Sequence, residues 1–267
     1  MIFQHPIKPF RLLYPSALWR MDRADGSVYL TFDDGPIPES TPFLLETLRQ
    51  FDAKATFFVV GDNVRKYPEL FEAILREGHA VGNHTFHHLR AKKCSVAHYL
   101  DDIGKAQNLI ENASGFFEKE SGEMKKEKKF FPSRKNFLEK EKFFLEKEDE
   151  NASENYEDEK KDFAKIPSHD LSDNKALPLF RPPHGTIPLK HYRAVAERYR
   201  IVQWDIVTRD YNRHVSAEHI LRTIQAYARP GSIINMHDSL RSIDKLHTAL
   251  PAALEWLIQQ GYTLQTL

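Results

Sequence analysis

Cysteine is nearly absent: Cys94 is the single one in 267 residues. One thiol excludes an intramolecular disulfide and any metal cage built from cysteines. It leaves the redox compartment unspecified. Net charge is absent too, with 38 Lys and Arg against 38 Asp and Glu. Phosphate backbones need a clear basic excess, so nucleic acid is not expected as the main partner. No apolar run reaches the roughly 18 residues of a membrane span, so no transmembrane helix is expected. The stretch from Met1 to Arg20 also lacks a signal peptide's order of basic start, apolar stretch and small cleavage residues. Its apolar piece, Phe10 to Trp19, is broken by Arg11, Pro15 and Ser16. The expectation is a segment packed on the domain of a protein that stays in the cytoplasm or at a membrane surface.

What is present is ample core material. The chain is 41% hydrophobic and 12% aromatic, which argues against a wholly disordered chain. The length suits one large domain or two small ones. Thirteen histidines justify a search for metal or acid–base sites. The charge is unevenly spread. Residues 115–175 hold 14 Lys and Arg and 17 Asp and Glu, a net −3 against +3 for the remainder. Within them Phe137-Leu138-Glu139-Lys140-Glu141 recurs as Phe144-Leu145-Glu146-Lys147-Glu148. That spacing can make a short amphipathic helix, and from Glu148 to Lys161 apolar residues nearly vanish, which reads as disorder. The segment is expected to be a charged, low-complexity, partly disordered insertion in a single domain spanning 1–267. It is read as a tolerated surface excursion, with docking of a partner through its Phe/Leu stripe as the alternative.

Outside this segment, apolar strands alternate with amphipathic helices. Strands are expected at 27–32, 55–60, 80–82, 177–180, 201–204, 232–236 and 262–267. Helices are expected at 40–51, 68–77, 96–112, 189–198, 216–227 and 244–259. This alternation means a parallel α/β fold, sheet or barrel, with its chemistry at the C-terminal strand ends.

Several of these strands end in polar clusters that a core does not need. The first runs into Thr31-Phe32-Asp33-Asp34-Gly35-Pro36. Adjacent carboxylates repel and lose solvation unless a cation or base holds them. Asn83-His84-Thr85-Phe86-His87-His88 offers His84 and His88 four apart, which share a face on a helical turn and can chelate one ion. His84 with His87 is a substitute pair at spacing three. Two histidines and one carboxylate make a facial triad with open positions. Arg181-Pro182-Pro183-His184-Gly185 combines a permanent cation, a fixed backbone and a glycine that permits close approach. Trp204 to Tyr211 follows another strand, and the buried run 232–236 delivers His237, suited to general acid or base work.

In this order the motifs resemble the polysaccharide deacetylase family, the NodB-homology group or carbohydrate esterase family 4. They are Thr31 to Pro36, His84-Thr85 with His88, Arg181-Pro182-Pro183 with Gly185, Asp210 with Tyr211, and Met236-His237. The resemblance covers nearly the whole chain except the insertion. It implies a distorted (β/α) barrel of about seven parallel strands and metal-dependent removal of acetyl groups from N-acetylated glycans. It implies Asp34, His84 and His88 as ligands of a divalent ion, usually Zn2+ with Co2+ or another ion as substitute. It implies Asp33 as general base, Arg181 as its orienting partner, His237 as general acid and Asp210 as the carboxylate that holds it. Pro183, His184, Gly185, Trp204, Tyr211 and Met236 are implied to line the substrate groove. The residues fit the chemistry independently. Amide hydrolysis needs an activated water, a stabilised oxyanion, for which a backbone N–H near His184 is a candidate, and a proton for the departing amine.

Three features depart from the family pattern: His184 stands where a tyrosine is frequent, Tyr211 where a tryptophan is frequent, and the charged insertion separates the second and third motifs. Two other functions compete. A haloacid-dehalogenase-type phosphatase also places Asp and Gly after a first strand, but needs Asp-x-Asp and leaves the histidine pair unexplained. A non-enzymatic scaffold acting through the insertion is the other.

Overall fold

The computed structural model describes residue 11 and residues 13–21, 26–123 and 177–267. The chain divides into two units, one of residues 1–117 with 176–267 and one of 118–175. Everything below concerns the first, apart from the end of one helix. Its elements are β1 (Ser27–Asp33), α1 (Thr41–Gln50), β2 (Ala55–Val59), α2 (Gly61–Lys66), α3 (Pro68–Arg76), β3 (Ala80–Asn83), α4 (Val96–Glu123), β4 (Leu179–Phe180), α5 (Leu189–Ala196), β5 (Arg200–Ile201), β6 (Ile206–Val207), α6 (Ala217–Tyr227), β7 (Ile233–His237), α7 (Ile243–Gln259) and β8 (Thr263–Leu264). Among the described residues no helix is long and apolar enough to cross a membrane.

The strands form one parallel sheet in the order β5-β4-β3-β2-β1-β7-β6, with β8 pairing the start of β1. Its two edges, β5 and β6, are only five residues apart in sequence, from Ile201 to Ile206. Seven strands laid flat put those edges about 29 Å apart, whereas a five-residue link spans at most about 18 Å. The sheet therefore curls into an open half-barrel. The expected barrel is real, but its ladder does not close. The expected strand at 201–204 is in fact two short edge strands on either side of this link.

The N-terminal segment packs into the seam. Leu18 pairs parallel with Val202 and Arg20 antiparallel with Ser232, and Trp19 is buried beside Phe180 and Ile201. Asp205, in the link, is fully buried and ties the seam together. It accepts from Arg11 Nη2 at 2.7 Å, Arg229 Nη2 at 2.8 Å and Ser232 Oγ at 2.9 Å.

Strand alternation sorts the side chains. Leu30, Phe32, Ile234 and Met236 face the helices and join the main core with Leu44, Leu48, Leu250 and Leu254. Tyr29, Phe58 and Ile233 pack with Val202 in a separate apolar cluster, and the polar Thr31, Asp33 and Asn235 share the face of Tyr29 and Ile233. Two elements differ from expectation. α2 fits no long apolar pattern, being six residues that Tyr67 alone separates from α3, which begins at Pro68. α4 continues past its expected end at Asn112, so residues 115–123, assigned to the insertion, are helical in backbone. The rest of the expected insertion, with its repeat, disorder and docking stripe, lies outside the described residues.

Asp205→Ala should lower stability by about 2–3 kcal/mol, read as a shift of the urea midpoint. The figure is modest because Arg11 and Arg229 are partly exposed and can turn to water when their partner goes. An unchanged midpoint would show that the seam does not depend on this carboxylate.

Candidate active site

The functional side chains come from the C-terminal ends of β1, β3, β4 and β7 and the loop after β6. β1 delivers Asp33 and Asp34. Asp33 lies opposite His237 in the register between β1 and β7. Arg181 follows β4 and is fully buried. Its guanidinium donates to Asp33 Oδ1 at 2.7 Å, Thr31 Oγ1 at 2.7 Å, Asn235 Oδ1 at 3.1 Å and the Gln203 carbonyl at 2.9 Å. It also lies 4.1 Å over the Phe58 ring, a cation–π contact. Gly82, which pairs with Phe58, makes room for that ring, since a Cβ there would come within 2.5 Å of it.

The histidine pair does not lie on a helical turn. Residues 84–90 form a loop in which Thr85 (φ 65°) and His88 (φ 54°) are left-handed. Two buried polar residues hold this strained path. Asn83 Oδ1 accepts from the Thr85 N–H at 2.8 Å. Asp102, on α4, accepts from the N–H groups of Phe86 and His87 and from His87 Nδ1 at 2.5 Å. His87 is thus turned away to Asp102, which rules out the substitute pair of His84 with His87. His84 and His88 converge instead across the loop, with ring centroids 5.1 Å apart.

Asp34, His84 and His88 each offer one ligand atom, all within 4.8 Å of one another. Three observations fit this set to a divalent cation. Asp34 Oδ1 is buried and makes no well-aligned hydrogen bond. It lies 3.1 Å from His88 Nε2 and 3.6 Å from His84 Nε2. His84 Nδ1 donates to the Arg181 carbonyl at 2.7 Å, which fixes the tautomer and leaves the Nε2 lone pair facing the site. Burial pushes the His84 ring down to about 4, so it is neutral at physiological pH. Burial alone would push the Asp34 carboxyl up, but contact with His88 and the charge of His237 hold it below the usual carboxylate range.

On the other side Asp210, fully buried in the loop after β6, accepts from His237 Nδ1 at 2.8 Å and from the His237 N–H at 2.8 Å. Burial pushes the His237 ring down, but the charge and hydrogen bond of Asp210, with Asp34 and Asp33, push it up to about 9. Tyr211 stands edge-on to this ring, with centroids 4.8 Å apart.

Asp33, Asp34, His84, His88 and His237 line one cavity of about 950 Å³, whose wall also includes His184, Gly185, Trp204 and Tyr211. Gly185 has φ 64°, and a Cβ there would lie 1.9 Å from Trp204, so only glycine lets the indole seat against the turn. Its N–H donates to the Pro182 carbonyl at 3.0 Å. His184 stacks 4.6 Å from His88, and burial pushes its ring down to about 4. Pro183 and Met236, expected on the groove wall, are not among the wall residues. Met236 is fully buried in the main core. It neighbours His237 in β7, so strand alternation sends it to the opposite face. Thr31 and Asn235, missed from the sequence, each stand two residues before a catalytic candidate on the same face. Asp238 was also missed. It is buried against the hydroxyls of Ser40 and Thr41 at the start of α1, and burial pushes its carboxyl up to about 7.

A family model described as polysaccharide deacetylase matches residues 20–119. Over these residues the chain is similar to this family. Two peptidoglycan-N-acetylglucosamine deacetylases of Bacillus cereus are similar to it. One is 27% identical over 230 residues, covering 84% of this chain and 62% of the relative. The other is 28% identical over 252 residues, covering 93% and 90%. The solved structure of a peptidoglycan N-acetylglucosamine deacetylase with a bound hydroxybenzamide ligand superposes with a TM-score of 0.69 at 25% identity, covering 98% of this chain and 95% of that one. Each motif that carries the likeness ends a strand at the cavity or lies in the loop just beyond one.

Purified chain should carry a divalent metal that the double variant His84→Ala/His88→Ala lacks, while His87→Ala, whose ring belongs to Asp102, keeps it. Elemental analysis after dialysis reads the outcome, and undiminished metal in the double variant would remove this ligand assignment.

Proposed function

We propose that this chain is a metal-dependent hydrolase that removes N-acetyl groups from N-acetylglucosamine-type glycans. One arrangement carries the reading: a two-His, one-Asp ligand set flanked in a single cavity by a buried Asp–Arg pair and a buried His–Asp pair. Zinc suits that donor set, which leaves positions open, and cobalt can substitute. When bound, the ion polarises the acetyl carbonyl and acidifies a water molecule.

The protein's own groups do the rest. Asp33 takes the proton of the attacking water. Arg181 fixes the orientation of that carboxylate at 2.7 Å and keeps it apart from the ligand Asp34. This resolves the oddity of adjacent carboxylates, since one faces a cation of the protein and the other the ligand site. The backbone N–H at His184 is the candidate to steady the oxyanion, since the Gly185 N–H is bonded within its own turn. His237, held protonated by Asp210, gives its proton to the departing sugar nitrogen. Without that proton an amine anion would have to leave. Trp204 and Tyr211 wall the space for the acetyl group and sugar ring. No observation favours the phosphatase reading, because Phe32 between the polar positions points into the core. The scaffold reading concerns residues outside those described.

Acetate release from an N-acetylglucosamine oligomer tests the proposal, and Asp33→Asn should reduce it by about 100-fold or more. Full activity in that variant would remove Asp33 as base. The pH profile adds a second check. A ring held protonated serves as acid until pH rises through its pKa, so activity should fall on the alkaline side near pH 9. Asp210→Asn removes a raising influence, so the fall should begin lower, by about one pH unit or more. An alkaline limb that stays in place would separate it from His237.

A further inference from the structure

The cavity wall has a charge imbalance that the proposed chemistry does not use. Its acids are Asp33, Asp34 and Asp238. Each is already committed: Asp33 to Arg181, Asp34 to the ligand set, and Asp238 to Ser40 and Thr41. Its permanent cations are Arg90, Lys92 and Arg241, all on the exposed rim. Among the described residues none of the three makes an ion pair with a carboxylate. Arg90 ends the loop that carries His88 and Lys92 follows it, whereas Arg241 comes from the segment after β7. Arg241 immediately precedes the N-terminus of α7, a 17-residue helix whose dipole places partial positive charge at the same side. Once the ligand set holds a divalent ion, no uncommitted negative group faces the mouth. A neutral glycan needs none of this, since hydroxyl and acetamido groups are satisfied by neutral donors and aromatic walls.

We propose that the substrate carries an anionic group, carboxylate or phosphate, on or beside the sugar whose acetyl is removed, and that Arg90, Lys92 and Arg241 receive it. This rests on the deacetylase reading and deepens it. The rim groups act on capture: exposed cations raise the encounter rate and hold the anion at the mouth while the acetyl group reaches the ligand site. They lie in water, so their effect should weaken as salt screens them.

The test measures kcat/KM for acetate release by the metal-loaded full chain on three substrates. They are a neutral N-acetylglucosamine oligomer, a glycan of the same length whose alternate sugars bear a lactyl carboxylate, and N-acetylglucosamine carrying a 1-diphosphate. At least one anionic substrate should exceed the neutral oligomer about tenfold or more at low salt, and which one does identifies the group. The ratio of anionic to neutral kcat/KM should fall severalfold in 0.5 M salt, about a third of the screening length at 0.05 M, and should fall to within about twofold in Arg90→Gln/Lys92→Gln/Arg241→Gln. A neutral oligomer turned over as fast as both anionic substrates, or a ratio that survives in the triple variant, would overturn the inference and leave the deacetylase reading standing. Acetate from none of the three would remove that reading itself. A melting temperature for the triple variant equal to the parent's confirms that the comparison is between folded chains.

Discussion

The buried guanidinium of Arg181 is the constraint around which the site is arranged. A cation with no exposure is costly to desolvate, and it persists only where its donors are met. Here strand ends and the seam meet them together: Asp33 and Thr31 from β1, Asn235 from β7, and the carbonyls of Val202 and Gln203 from the link between the sheet edges. The side chain therefore works as a bolt through the open half-barrel, joining elements that the ladder leaves unpaired. Its main chain has a second task, because its carbonyl fixes the tautomer of His84. One residue thus orients the proposed base through its side chain and a metal-ligand candidate through its backbone. Lysine at this position would keep a charge but not the fork of donors that reaches several acceptors at once.

The curl of the sheet explains why such a bolt is possible. A five-residue link between opposite edges draws β5 toward β6, and residues from opposite ends of the strand order then come within hydrogen-bonding distance of one guanidinium. The apolar cluster of Tyr29, Phe58, Val202 and Ile233 includes the ring on which that guanidinium lies, and so excludes water from its far side. Asp205 fastens the same link at its other end, so the geometry of the site depends on a buried carboxylate outside the cavity wall.

Much of this was legible because strand ends advertise themselves: a buried apolar run followed by Asp-Asp or His-Asp has no core purpose. The alternation of strands and helices also fixed the fold class. What could not be read had local physical causes. β5 and β6 are two residues each, too short for any periodicity, so the open edges were invisible. The path of the loop from His84 to His88 is set by Asn83 and Asp102, which are ordinary polar residues until the tertiary fold buries them. The resemblance implies Met236 on the groove, although its neighbour His237 faces the cavity and adjacency in a strand means opposite faces. Arg90, Lys92 and Arg241 belong to no motif, and only the cavity brings them to one rim.

Histidine carries two opposite tasks here, and a single acceptor separates them. In both His84 and His237 the Nδ1–H donates, and burial disfavours the charged ring in both. His84 faces a carbonyl, which carries no charge, and burial outweighs the pull of Asp33 and Asp34, so the ring sits down at about 4 with a free Nε2 lone pair. His237 faces the Asp210 carboxylate, whose charge reverses the outcome and lifts the ring to about 9. A lone pair suits a metal ligand, and a retained proton suits a general acid. Exchanging carbonyl and carboxylate behind the two rings would exchange their chemistry without altering either histidine. The assignment of roles in this cavity therefore rests on the groups behind the rings, Arg181 and Asp210, more than on the histidines themselves.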